Sequence, residues 1–200
     1  LDIPQAAGLS VGVGAGLEQL QMTGGAAAGD FNGDGWVDLL VTMLDRHDVL
    51  FANLGVYANG GRRGFLFFSA RCFPCAGPGP GSNGAVFGDI DNDGDEDLYL
   101  TSVGSTRYQL WVNDGEGHFR EQARQRGAAV ETTRFHSGQS PVFADFDRDG
   151  WLDLYVTEWL LMHPAFPVEP HTRLLRNRGA AAPGPFEDVT AAAGLARGRG

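Results

Sequence analysis

Three stretches of this chain place oxygen-bearing side chains on alternate residues ahead of a glycine. They are Asp30, Asn32, Asp34, Gly35 and Asp38; Asp89, Asp91, Asp93, Gly94 and Asp97; and Asp145, Asp147, Asp149, Gly150 and Asp153. Counted from the first Asp, the polar side chains fall at positions 1, 3, 5 and 9, and glycine at 6. This spacing bends a short loop around one hard cation and supplies carboxylate oxygens from alternate residues. The glycine permits the left-handed backbone of the sharp turn. Position 7, which is Trp36, Asp95 or Trp151, would add its backbone carbonyl. A single acidic turn reads equally well as a solvated Asx turn. Three copies starting 59 and 56 residues apart make a repeat whose unit carries a calcium loop, and imply three Ca2+ sites.

The elements around these loops are not helices. An EF-hand needs a bidentate Glu at position 12 and a helix on each side, whereas position 12 here is Val41, Leu100 or Val156. Each loop runs into a short β-prone segment (DLLVT, DLYLT and DLYVT) with no 3.6-residue period. Dockerin-type loops fail for the same reason, since they also lead into helices.

Composition narrows the function classes. At 42% hydrophobic and 20% charged residues the chain is globular, and 30 glycines with 10 prolines suit a turn-rich, all-β protein. The formal net charge of -10 and the lack of any basic cluster argue against nucleic acid as a partner. Eleven of the 25 acids occupy loop positions 1, 3, 5 and 9, so three bound dications would bring the charge to about -4. No apolar run is long enough for a membrane span, and no basic-then-apolar leader pattern opens the chain. The start at Leu1 suggests a processed product or an excerpt. Cys72 and Cys75 are the only cysteines, and the following AGPGPG forbids the helix of a thioredoxin-like site. A local disulfide is the leading reading of this pair, with a reduced pair as its alternative; a zinc site would need further ligands.

A second echo sets the repeat frame. Residues 188–195 (DVTAAAGL) keep the spacing of residues 2–9 (DIPQAAGL), 186 residues apart, or three units of 62. The expected sequence repeats are 1–64, 65–118 and 119–185, with 186–200 opening a fourth. Each unit has a small-residue strand before its loop, a Leu-rich strand after it, a third strand running into Asn53, Asn113 or Asn177, and a final strand starting at Phe65, Phe119 or Phe186. Four short antiparallel strands, repeated, describe β-propeller blades. Apolar pairs such as Leu39 with Leu40, Leu98 with Tyr99 and Leu154 with Tyr155 suit sheets covered on both faces.

These residues carry a family resemblance. The chain resembles the FG-GAP/VCBS repeats of calcium-binding β-propellers, such as the integrin α-subunit head, and the segment FEDVTAAAGL at 186–195 is similar to the cartilage acidic protein group. The resemblance implies an extracellular or cell-surface module and places the calcium loops on one rim, between strands one and two of each blade. Loops at 45–47, 71–74, 105–108, 134–136 and 158–166 then fall on the opposite rim, where a protein or glycan ligand would bind. The family closes its ring with seven or eight blades. Three blades do not, so the segment belongs to a longer chain or assembles through its terminal blades.

No Gly-x-Ser-x-Gly elbow, His-Glu-x-x-His or phosphate-cradling loop occurs, and catalysis is not expected. Two functions remain: an adhesion or recognition module with structural calcium, and a building block that polymerises by blade stacking. A lectin or a polysaccharide-active enzyme is a more remote variant.

Overall fold

The β-prone segment behind each acidic loop becomes the second strand of a four-stranded antiparallel sheet. The computed structural model describes residues 24–43, 48–55, 65–67, 82–103, 105–132, 137–158 and 172–195. The first sheet runs β1 (Ala26–Gly29), β2 (Asp38–Val41), β3 (Val49–Asn53), β4 (Phe65–Phe67). The second runs β5 (Ser82–Gly88), β6 (Asp97–Ser102), β7 (Gln109–Val112), β8 (Arg120–Glu121), and the third β9 (Gly138–Ala144), β10 (Asp153–Glu158), β11 (Arg173–Asn177), β12 (Phe186–Asp188). Strand order equals chain order in each, so every connection joins nearest neighbours. This is the all-β, blade-like architecture expected from the repeat, with the fourth strands at or within one residue of Phe65, Phe119 and Phe186.

The acidic loop closes in one register throughout. Gly29 pairs with Asp38, Gly88 with Asp97, and Ala144 with Asp153. Each loop is therefore a long hairpin connection whose position 9 already lies in the sheet.

The sheets pack face to face. Phe31, Leu40, Leu50 and Ala52 of the first meet Phe87, Leu98, Leu100 and Trp111 of the second. On the other side of the second sheet, Ile90, Tyr99, Tyr108 and Leu110 meet Leu154, Val156, Leu175 and Phe186. Side chains of β6 alternate between the two interfaces, which is why all six of its residues are buried. Each large apolar side chain fully buried in this way contributes about 1.5–3 kcal/mol.

Near the inner edge the sheets approach too closely for side chains. A Cβ at Gly84 would collide with the Gln139 carbonyl of the next sheet, which accounts for the small residues in β1 and β5. Hydroxyls bridge the same gap: Thr42 Oγ1 donates to Asn83 O at 2.6 Å, and Thr101 Oγ1 to Gln139 O at 2.9 Å. No helix among the described residues is long and apolar enough to cross a membrane.

Candidate metal centre

In each loop the first Asp organises the turn. Asp30 accepts the amides of Asp34 (3.1 Å) and Gly35 (2.7 Å); Asp89 accepts those of Asp93 (3.2 Å) and Gly94 (3.0 Å); Asp145 accepts those of Asp149 (3.0 Å) and Gly150 (2.9 Å). Position 5 caps position 7: Asp34, Asp93 and Asp149 accept the amides of Trp36, Asp95 and Trp151 at 2.9–3.0 Å. The position-6 glycines have φ of +85°, +97° and +90°, with open space where a Cβ would stand. Their requirement is for backbone conformation, not for room.

Position 9 does something else. Asp38, Asp97 and Asp153 are at most 1% exposed. Each takes two backbone amides: one from loop position 2 (Phe31, Ile90, Phe146) and one from the Asn that ends or directly follows the third strand (Asn53, Asn113, Asn177). Burial pushes Asp38 up to about 6 against the pull of the Asn53 amide, and Asp97 up to about 7 against that of Asn113. Asp153 is raised for the same reason.

The Asn itself reaches the neighbouring sheet. Asn113 Nδ2 donates to Phe31 O at 2.7 Å, and Asn177 Nδ2 to Ile90 O at 2.7 Å. Each amide also donates to the position-8 carbonyl of its own loop, Glu96 O at 3.2 Å and Leu152 O at 3.1 Å. One side chain thus holds the base of two successive acidic loops. The sequence shows the Asn at a constant place; its partners across the interface are visible only in the structure.

Two groups of carboxylates converge closely enough to hold a metal ion. Oxygens of Asp89, Asp91 and Asp97 lie within 4.8 Å of one another, as do those of Asp145, Asp147 and Asp149. Asp93 stands outside the first group and Asp153 outside the second. Asp30, Asn32, Asp34 and Asp38 form no such group among the described residues. Arginines flank the two convergent loops at position 3: Arg126 pairs with Asp91 at 3.0 Å, and Arg176 with Asp147 at 2.9 Å. Asp91 Oδ1 is nonetheless buried without a hydrogen-bond partner, and burial with the nearby Asp93 raises its pKa. A hard cation fits such a set: several carboxylate oxygens on one short loop, one of them desolvated and unpaired.

Glu96, at position 8, was not among the sequence candidates. It leaves its own loop and lies against Gly29, where a Cβ would collide with its Oε2. The carboxylate accepts the Asp30 amide, and Oε2 is buried without a hydrogen-bond partner among the described residues. Burial raises its pKa, and the Asp30 amide draws it back. The only advance signal was an acid at a position where the other loops have Val37 and Leu152.

Of the loops expected on the opposite rim, residues 105–108 and 158 are described, and there the buried Tyr108 hydroxyl donates to Glu158, with burial holding the phenol well above its usual range. Cys72, Cys75 and the rim residues 45–47, 71–74, 134–136 and 159–166 lie outside the described residues.

A chain of face-packed four-stranded sheets, each with an acidic glycine-turn hairpin between its first two strands, defines a blade-repeat protein with potential cation-binding loops. Comparison with known families agrees: the chain belongs to the FG-GAP-like repeat family, whose sequence profile matches residues 30–100 and 89–156. Among curated proteins, none gives a match.

Proposed function

We propose that this chain is a calcium-stabilised β-propeller segment of the kind found in integrin-type and cartilage acidic protein-type propellers, serving recognition or adhesion outside the cell. The observation that carries it is the convergence of carboxylate oxygens at Asp89/Asp91/Asp97 and at Asp145/Asp147/Asp149, at the same hairpin of successive sheets. In this reading three Ca2+ ions bind, one per loop: through Asp30, Asn32, Asp34 and Asp38; through Asp89, Asp91, Asp93 and Asp97; and through Asp145, Asp147, Asp149 and Asp153. The carbonyls of Trp36, Asp95 and Trp151 assist. The ions are structural, since every position-9 carboxylate is tied into the sheet. Extracellular calcium, roughly millimolar, matches the weak affinity typical of such modules. A protein or glycan ligand is assigned to the rim opposite the loops, and no reaction is assigned to the segment.

Isothermal titration of metal-free protein with Ca2+ tests this, together with melting in chelator. Uptake of three equivalents and a melting temperature that falls on chelation are expected. No heat and unchanged melting would sink the reading.

A second reading, assembly by blade stacking, draws on the outer face of the third sheet, where Val142 and Phe146 are 47% and 46% exposed. Sedimentation velocity over a concentration series separates the two: a monomer at all concentrations removes the assembly reading.

A further inference from the structure

We propose that a second copy of this chain docks head to tail, seating its first sheet on the third sheet in the register of the two internal interfaces. The inference rests on the assembly reading above and names its surfaces.

The internal interfaces show what such a contact needs. The residue just before an acidic loop lies under two side chains of the following sheet: the one two places before that sheet's own loop, and the one at its loop position 8. A Cβ at Gly29 would collide with Phe87 and Glu96, and one at Gly88 would collide with Phe143 and crowd Leu152. Glycine stands at both places because the covering side chains are large. At the third sheet the same place holds Ala144, which is exposed and directs a Cβ outward. Another Phe with a Glu or Leu above it would strike that Cβ. The first sheet has Ala28 and Val37 at the two covering positions; Ala28 is exposed, and Val37 is 55% exposed. The covering residues shrink where the covered one grows, so size picks the first sheet, out of the three, as the occupant.

Hydrogen-bonding groups are left over in matching places. Asn113 and Asn177 each donate to the position-8 carbonyl of their own loop and to a position-2 carbonyl of the preceding sheet. Asn53 donates to Val37 O at 3.0 Å, and its Nδ2 makes no donation to another sheet among the described residues. Phe146 O is the position-2 carbonyl that receives no such amide. Thr42 and Thr101 reach across to Asn83 O and Gln139 O, whereas among the described residues the Thr157 hydroxyl donates only to Ser140 O. The repeat equivalent of Asn83 and Gln139 in the first sheet is Gly24. Head-to-tail docking gives Asn53 the carbonyl of Phe146, gives Thr157 that of Gly24, and takes the exposed Val142 and Phe146 out of water. The two surfaces differ, so the contact is heterologous, and every copy that joins leaves one head and one tail for the next.

Val37→Arg spoils the head and Phe146→Arg the tail. Both side chains are exposed, so each variant is expected to melt with the unmodified chain in dilute solution. By sedimentation velocity the unmodified chain is expected to associate as concentration rises, and each variant alone to stay monomeric. An equimolar mixture of the two is expected to form a dimer that grows no further, because only one intact head and one intact tail can meet. Ala144→Leu, which adds volume beneath Ala28 and Val37, is expected to weaken association of the otherwise unmodified chain roughly tenfold.

Association that survives in either variant alone overturns head-to-tail docking and leaves the assembly reading standing. So does a mixture that stays monomeric, or an Ala144→Leu chain that associates as the unmodified one does. An unmodified chain that is monomeric at every concentration overturns both, and leaves the calcium reading untouched.

Discussion

The first and third acidic loops have the same local sequence pattern and different surroundings. Phe31, at position 2 of the first, is 1% exposed; its carbonyl takes Asn113 from the second sheet, and its ring packs near Phe119. Phe146, at position 2 of the third, is 46% exposed, and its carbonyl takes no side-chain amide from another sheet among the described residues. Thr42 spans to the next sheet, while among the described residues the hydroxyl of its counterpart Thr157 bonds only to Ser140 of its own sheet. What differs is the neighbour. The first two loops are built partly by their own sheet and partly by the sheet stacked against them, whereas among the described residues the third is built by its own sheet alone.

The largest effect that tests this contrast is a pair of truncations at one repeat position. Phe31→Ala should cost about 3–5 kcal/mol by urea denaturation, as for a buried aromatic, and Phe146→Ala under about 1 kcal/mol. Equal costs would show that the third sheet's outer face is covered in the protein, and the contrast would collapse.

Next in size is the bridging amide. Asn113→Ala removes donors to Phe31 O and Glu96 O and an acceptor for the Asp114 amide, leaving buried backbone groups unpaired. A loss of about 2–4 kcal/mol is expected. Asn53 has one own-sheet donation to Val37 O and accepts the Gly55 amide, so Asn53→Ala should cost about half as much. Comparable values would place the anchoring inside each sheet instead of between sheets.

Cation ligands come third. Asp149→Ala in the third loop should remove part of the calcium-dependent rise in melting temperature, about 2–4 °C for each kcal/mol lost. In chelator the variant should lose only the smaller contribution of the Trp151 amide bond, so the readout is the calcium-dependent rise and not the metal-free melting temperature. A calcium response identical to that of the unmodified chain would show that Asp149 is no ligand.

The smallest effect is a pH slope. Asp38 and Asp97 are raised in the folded state to about 6 and about 7, above their unfolded values. The folded chain therefore binds more protons than the unfolded chain between about pH 4 and 7, and metal-free stability falls as pH rises through that window. Melting of metal-free protein should be a few degrees higher at pH 5 than at pH 7.5, and saturating Ca2+ should flatten the slope by neutralising the same carboxylates. Glu131 and Asp114, both lowered, act in the opposite sense only at more acid pH. A flat metal-free profile would show that burial does not dominate at position 9.

Much of this protein is legible in its residue order. The short β-prone segments after each loop, the glycine at position 6 and the Asn at or just after the end of the third strand recur in the three sheets, and the hairpin contacts that place them join residues close in the chain. The expectation that positions 1, 3, 5 and 9 act alike did not anticipate the division between them: position 9 is a buried acceptor of two backbone amides in all three sheets, and it joins positions 1 and 3 in the second loop's convergent group but not in the third's, where position 5 takes its place.

Local pattern alone determined the strand order, the hairpin register and the acidic turns, because hydrogen-bond geometry and glycine conformation act over neighbouring residues. Only the stacking of sheets decided which Phe is core and which is surface, where the Asn113 and Asn177 amides point, and why Glu96 sits at the start of a loop 66 residues before it in the chain. Those outcomes depend on which atoms burial removes from water, and a residue's place in the repeat does not say what will be packed against it.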